Sequence, residues 1–553
     1  MRYMKKKSFF GMIVFLTVFV NMRVVGISKA LPYVNIDVNT AFSMITNGSF
    51  SDLLVLDVRT KGEYDSGHIY RAIWIPHTEL KARIEELAGH EDDEIIVYCG
   101  SGTRSINASQ TLDSFNFTRV YNMLGGIMSW IGAGYPTVVA TVHNYDTALN
   151  YDTIQAAIDA PQTLNGHTIN VDEGIYYEHL TVNKAIHFVG ENKDTTIVDG
   201  TFNGTIFHVR TDNVSISNFT IRYSGCGVCG NGGVYVEGGC QSVKVENNQF
   251  IYNGFGIGMH QTTKVSVANN NLTNSNSWSI LISESSNISI FKNTIAENAG
   301  GINVESSSDI VVSRNVIFDS LYGIWMNKSE KCLVFGNDFS STSFFGISTT
   351  DSNNNSIFHN NFIENTYAVA SLNSTNSWDN NIEGNYWSDY DGADNNHDGI
   401  GDSWCEIDAS NYDRYPLMGM FSSFDASSGT YVDMVSNSTI ASFEYELSGN
   451  SINLVVSNST LDQTFGFCRV TIPHVLISGT YHVTVNGIEP FYVDYDIADN
   501  GTHSWIYFEY EHSELEIVIV PEFPQLSVLL PLMMVMVMAA SAHRRRRTMK
   551  GHS

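Results

Sequence analysis

The amino-acid sequence predicts a multidomain chain: an α/β domain, then a parallel β-helix, then a small β-sandwich and a C-terminal transmembrane helix. Three observations predict this. The 553 residues suffice for three or four domains at roughly 150 residues each. A unit of 22 or 23 residues repeats through the middle of the chain, the mark of a solenoid. An apolar run ends in a cysteine and a glycine-rich loop before a helix-compatible segment, as in a parallel α/β sheet.

Composition narrows the classes of function. With 30 basic and 58 acidic residues the net charge is −28, which argues against nucleic acid as the main partner, because phosphate binding draws on Lys and Arg clusters. Hydrophobic residues at 43% provide real cores and rule out wholesale disorder. Charged residues are only 16%, below the roughly 25% of an ordinary globular chain; Asn, Ser, Thr and Gly fill the gap and suit a β-rich surface. Seven cysteines are too few for a disulfide framework and leave at least one unpaired.

The two ends set the expected compartment. Lys5, Lys6 and Lys7 precede an apolar run from Phe9 to Val20, and small residues stand at Gly26, Ser28 and Ala30. That is the form of a signal peptide over 1–30, with an uncleaved anchor as the rival reading. Residues 526–542 form an uncharged segment followed by Arg544 to Arg547, at the lower length limit for a transmembrane anchor. Its basic tail would stay in the cytoplasm. The bulk of the chain is then expected outside the cell, as an exported, membrane-anchored glycoprotein. Sequons at Asn107, Asn213, Asn271, Asn373 and Asn458 agree with export. Pro521-Glu-Phe-Pro524 before the span resembles the juncture of archaeal surface proteins, in some of which the tail is removed.

Within 35–140, Leu53 to Leu56 and Glu94 to Tyr98 read as buried parallel strands. The second runs into Cys99-Gly100-Ser101-Gly102-Thr103-Arg104, and Ser105 to Leu112 has helix-compatible composition. Glycines let backbone N–H groups turn inward, and a helix N-terminus adds positive potential. A cysteine placed there has a lowered pKa, and the cradle can hold an anion against its sulfur.

This segment resembles a single-domain rhodanese, a sulfurtransferase. The likeness runs from Asp57-Val-Arg59 through Glu63-Tyr64 and Gly67-His68-Ile69 to Cys99–Arg104, then Gly125-Gly126, Trp130 and Ala133-Gly-Tyr-Pro136. It implies that Cys99 carries a sulfane sulfur as a persulfide, with no cofactor required. Arg104 would help to bind an anionic sulfane-sulfur donor, and Gly100, Ser101, Gly102 and Thr103 would form the cradle. Asp57 and Arg59 are expected to be structural. Two positions depart from the family: Gly100 stands where arginine is common, and Tyr70-Arg71 replaces Pro-Gly, so Arg71 is a candidate substitute for the lost charge. A rhodanese fold kept as a binding module with an idle cysteine is the alternative.

Over 145–418 the unit is apolar-x-apolar-x-x-Asn-x-apolar, with asparagines at 248, 270, 293, 315, 337 and 360. A second track, Ile257, Ile280, Ile302, Ile324, Ile347 and Val369, keeps the same period. One such unit is a rung of a parallel β-helix, with equivalent asparagines stacked at a turn. Asp152 is expected to cap a helix at Thr153–Ala160 that plugs the first coil. Cys332 sits at an inward position. The segment resembles the right-handed parallel β-helix group, and within it the NosD-type branch, through Thr153-Ile-Gln-Ala-Ala157 and Gly384-Asn-Tyr-Trp-Ser-Asp389. Such folds host polysaccharide enzymes and also proteins with no known activity, so surface glycans are a candidate partner and the fold alone does not decide. Glu284, Glu305 and Asp309 read as a solvated face. Cys226, Cys229 and Cys240 read as containing an oxidised pair rather than a metal site, and no Met/His cluster supports copper.

Asp394, Asn396, Asp398, Ile400 and Asp402 alternate around Gly399 in the spacing of a calcium loop. Position 12 is Cys405 with Glu406 one place later, which leaves the bidentate ligand open, and an Asx-rich turn is the other reading. Past Met420 the pattern has period two, at 441–445, 452–456, 481–485 and 515–519, which predicts a β-sandwich over 421–520 serving as a spacer before the anchor. Two functions stay open. One is a surface sulfurtransferase whose β-helix is a scaffold or glycan-binding surface; the other is an adhesion or carbohydrate-binding surface protein with an idle rhodanese module.

Overall fold

The computed structural model describes residues 33–46, 53–70, 72–137, 141–227, 230–427, 429–460, 463–511 and 514–522. The signal-peptide reading at 1–30, the anchor at 526–542, Arg71 and Cys229 lie outside the described residues. Among the described residues no helix is long and apolar enough to cross a membrane. The chain forms two compact units that part at 139/140.

In the first unit five strands form one parallel sheet. They are β1 (Val34–Ile36), β2 (Leu54–Asp57), β3 (Ala72–Trp74), β4 (Glu94–Tyr98) and β5 (Arg119–Met123), in the order β1-β5-β4-β2-β3. The central strand β4 shows why its sequence reads as a continuous apolar run. Ile95 and Val97 join one core, with Ala108 and Leu112 of helix α3 (Thr103–Ser114). Ile96 and Tyr98 join the other, with Ala41 of α1 (Val38–Thr46) and Ile127 and Trp130 of α4 (Gly126–Gly132). A parallel sheet covered on both faces needs apolar side chains at every position.

The second unit opens with three long sheets, nine, eleven and ten strands wide, that wrap one apolar core; all their strands run parallel except Val142–Asn144 and Leu149–Tyr151, which pair antiparallel at one end of the eleven-stranded sheet. Register follows the repeat: Ile257 pairs Ile280, then Ile302, Ile324, Ile347 and Val369 in turn. The asparagines form the ladder that their spacing predicts. Asn293 donates its N–H to Asn315 Oδ1 at 3.0 Å, and Asn315 does the same to Asn337 at 3.0 Å. The residue before each ladder asparagine (247, 269, 292, 314, 336, 359) has a positive φ, so the chain turns a left-handed corner there. The asparagine amide then bonds the carbonyl two residues back, as Asn315 does to Ser313 at 3.1 Å. Only a short side chain with both a donor and an acceptor serves both bonds. A second ladder of hydroxyls, Ser285, Ser307, Ser329, Ser352 and Ser374, went unseen in the sequence.

A plug helix, α5 (Ile154–Asp159), buries Ile154, Ala157 and Ile158 in the first coil. Its cap is Thr153, whose side chain accepts from Ala156 N at 3.1 Å, not Asp152 as the sequence suggested. Glu178 also receives the N–H groups of Ile154 and Gln155 at 2.9 Å each, a carboxylate at the positive end of a helix.

Beyond Met420 two antiparallel sheets of five and four strands pack face to face around a shared core. This sandwich is docked on the flank of the β-helix and is not a free spacer. Arg469, 3% exposed, bonds Glu383 at 2.7 Å, and Trp505 Nε1 bonds the same carboxylate at 3.1 Å. From the corner before Asn360, His359 completes the group, with Nε2 2.9 Å from Glu383 Oε2 and its ring stacked 4.1 Å from Phe421.

Candidate active site

The first unit brings its chemistry to the carboxyl end of β4, the usual place for a site on a parallel sheet. Cys99 follows Tyr98 directly and is 1% exposed. Gly102 takes φ +105° and donates its N–H to Cys99 Sγ at 3.1 Å before α3 begins. On the other side the N-terminus of α4 takes the loop's carbonyls: Ile127 N bonds Cys99 O at 2.9 Å and Met128 N bonds Gly100 O at 3.1 Å. With these carbonyls turned away, N–H groups are left facing the sulfur. Gly126, at φ +56°, permits this approach, since a Cβ there would lie 2.3 Å from Cys99 O.

Burial pushes the Cys99 thiol up, but the Ser105 hydroxyl and the N–H groups of Ser105, Gly102 and Ser101 outweigh it. The thiol therefore ionises below its ordinary value, as expected of a reactive cysteine at a helix N-terminus. Ser101 and Thr103 are exposed on the rim.

Arg104 stands beside the loop with its fork taken. Nη1 and Nη2 bond Glu63 Oε2 and Oε1 at 2.7 and 2.6 Å. Glu63 belongs to α2 (Lys61–Asp65), where it closes a capping box with Thr60. The Arg104 fork, against a smaller opposing effect of burial, holds the Glu63 carboxyl far below the usual carboxylate range. Glu63 in turn raises the Arg104 pKa, with a smaller share from Cys99. Sequence reasoning missed Glu63 as a site residue, although Thr60-x-x-Glu63 is a recognisable capping-box pattern. The glycine at 100 also finds a reason. A Cβ there would lie 3.0 Å from Arg104 Nη2, so a side chain at this position would have to shift the end of that arginine against Glu63.

Asp57 and Arg59 are structural, as expected. Both are buried, Arg59 Nη2 bonds Asp57 at 2.6 Å, and the same nitrogen bonds Gly67 O at 2.8 Å. The pair ties the end of β2 to the Gly67–Ile69 turn, whose Ile69 N bonds Tyr98 OH at 3.1 Å.

In the second unit the other candidates scatter. Cys332 is buried in the coil, and burial pushes its thiol up to about 11. Glu284, Glu305 and Asp309 are exposed. In the 394–402 loop the carboxylates turn onto the loop itself. Asp394 accepts from the N–H of Asp398 and Gly399 at 3.1 and 2.8 Å, and Asp398 accepts from Ile400 N at 2.8 Å and Asn396 Nδ2 at 3.1 Å. Asp402 accepts from Asn395 at 2.8 Å. Gly399 supplies the sharp turn at φ +81°. Glu406 lies in the strand Cys405–Asp408. Among the described residues no three His, Cys, Asp or Glu side chains converge as a metal centre.

Known proteins agree with the geometry. The family described as "Rhodanese-like domain" matches residues 43–133, and "Right handed beta helix region" matches 204–363. A putative sulfur carrier protein of Bacillus subtilis is 39% identical over 84 residues, 15% of this chain and 44% of that protein. A sulfurtransferase of Allochromatium vinosum is 36% identical over 87 residues, 16% of this chain and 79% of that protein. Thiosulfate sulfurtransferase 16 of Arabidopsis thaliana is 38% identical and is covered over 77% of its length. Among solved structures, a rhodanese-related protein from Thermoplasma volcanium is 34% identical, covering 19% of this chain and 99% of that one, with a TM-score of 0.17. With most of a whole sulfurtransferase matched at this identity, the chain belongs, through its first unit, to the rhodanese-like family.

Proposed function

We propose that the first unit transfers sulfane sulfur through Cys99. The observation that carries this reading is the Gly102 N–H at 3.1 Å from Cys99 Sγ, in a cradle that lowers the thiol's pKa. The Cys99 thiolate attacks the outer sulfur of a donor such as thiosulfate. The donor's S–S bond breaks, sulfite leaves with the electron pair, and Cys99 holds a persulfide. A second nucleophile, a thiolate or cyanide, then takes the outer sulfur and releases the Cys99 thiolate. The exposed rim at Ser101 and Thr103 admits the donor, and the N–H cradle favours the anion beside the sulfur, joined by Arg104 when the donor draws its fork from Glu63. Transfer from thiosulfate to cyanide should rise with pH through a midpoint below the roughly 8.5 of a free cysteine. A midpoint at or above that value would contradict an activated thiolate.

One observation favours the idle-module alternative. The Arg104 fork is engaged by Glu63, and no side chain at position 100 replaces the charge. The same assay decides, since an idle module gives no rate above buffer.

The rest of the reading is an exported surface protein anchored through 526–542, of the archaeal type, with a NosD-type β-helix as scaffold or glycan-reading surface. Its support is the pattern of apolar and basic residues at the two ends, the sequons, and the amide- and hydroxyl-rich surface of the coil. Calcium in the 394–402 loop belongs to the same reading and rests on the alternation of oxygen side chains around Gly399. Added calcium should then raise the melting temperature, and Asp398→Ala should cancel the rise. Melting that ignores both calcium and chelator would leave the loop as an Asx turn.

A further inference from the structure

The last coils of the β-helix carry a polar cleft that the sulfur chemistry does not use. The hairpin of Cys405–Asp408 and Asn411–Asp413 stands beside the turns around Asn354 and Asn376. Between them lies a cavity of about 470 Å³, within the roughly 300–1,000 Å³ of small-molecule sites.

One wall is aromatic: Trp404 is 64% exposed, Tyr412 is 36% exposed, and their ring centroids lie 5.9 Å apart. The facing side is made of amides and hydroxyls and is held rigidly. Asn376 donates its N–H to Asn411 Oδ1 at 2.9 Å. Its Oδ1 accepts from Asn355 N and Nδ2 at 3.1 and 2.9 Å. Those two bonds fix the amide's orientation, and its buried Nδ2 is left with no acceptor among the described residues. Arg414 adds no free charge, since its fork is closed on Asp379 at 2.9 and 2.6 Å.

We propose that this cleft binds a neutral saccharide, with a sugar ring laid on Trp404 and flanked by the tilted Tyr412 ring, and its hydroxyls bonded to the exposed polar side chains opposite. The proposal rests on the glycan-reading role of the β-helix given above and names its site. The chemistry excludes the other classes. An apolar ligand would strand the exposed Asn354, Thr375 and Ser410 of the lining without their water partners. An anion would meet a cation already neutralised, on a chain of net charge −28. A sugar has both faces that the cleft asks for: C–H bonds for the exposed rings, and hydroxyls for the exposed polar side chains of Asn354, Thr375 and Ser410 in the lining.

The test uses the full chain and labelled neutral hexaoses of glucose, mannose, galactose and N-acetylglucosamine, with oligogalacturonate as the anionic comparison. Trp404 is exposed, so Trp404→Ala keeps the fold and should weaken the best hexaose by roughly tenfold or more, the loss expected of an aromatic anchor. Trp325→Ala, on the strand Tyr322–Asn327 of another sheet, and Cys99→Ser should leave binding unchanged. If Trp404→Ala and Tyr412→Ala bind as the parent does, the site is wrong while the glycan-reading role stands. Preference for oligogalacturonate overturns the neutral class. If no hexaose binds, both the site and the role fall, and sulfur transfer measured on the same preparation is judged separately.

Discussion

Cys99→Ser is expected to lower sulfur transfer by roughly a thousandfold or more, to the level of buffer. A serine hydroxyl fits the same N–H cradle, so the loop and the sheet should keep their geometry. What is lost is the ionised nucleophile: Gly102, Ser105 and Ser101 shift the thiol toward its anion, whereas a hydroxyl stays protonated near neutrality. Cyanide-dependent transfer from thiosulfate checks the rate, and an unchanged melting temperature shows that the loss is chemical. Residual activity within tenfold of the parent would place the nucleophile elsewhere.

The second large effect lies at the junction of the β-helix and the sandwich. Glu383→Ala should destabilise the second unit by about 3–5 kcal/mol, because it leaves Arg469 buried without its counter-charge. Trp505 Nε1 would lose its acceptor as well. The same group predicts acid sensitivity. Burial pushes the Glu383 carboxyl up, but the His359 hydrogen bond and the Arg469 charge outweigh it and bring the carboxyl down to about 2. A depressed carboxyl contributes stability that is full above its unfolded value, roughly 4.3, and is lost as pH falls through the folded value. Denaturant midpoints measured between those limits should fall more steeply in the parent than in Glu383→Ala, where the other depressed carboxyls such as Asp379 still titrate. Equal midpoints for the two proteins at neutral pH would contradict a docked sandwich.

How much could be read in the sequence depended on whether a pattern was local. The ladder asparagines were legible because each does the same job every 22 or 23 residues. The active-site loop was legible because strand, loop and helix are contiguous there. Glu63 was not, since it reaches Arg104 across 41 positions of sequence. In the sandwich, the four runs with period two all fall in the four-stranded sheet. The strands Phe465–Pro473 and His503–Glu511 of the other sheet escaped, because one side faces the sandwich core and the other the β-helix. They are buried almost continuously, and a strand covered on both faces shows no alternation. The partners of Arg469 and Glu509, Glu383 and His397, come from the last part of the coil, at a distance in sequence that no local pattern reveals.

The most direct test of the account is mass spectrometry of the protein after exposure to thiosulfate and, separately, to polysulfide. One added sulfur is expected on Cys99, removed by cyanide and absent in Cys99→Ser. A parent protein that acquires no sulfur at Cys99 from either donor, with the thiol intact and reduced, would contradict sulfur transfer as the work of this domain.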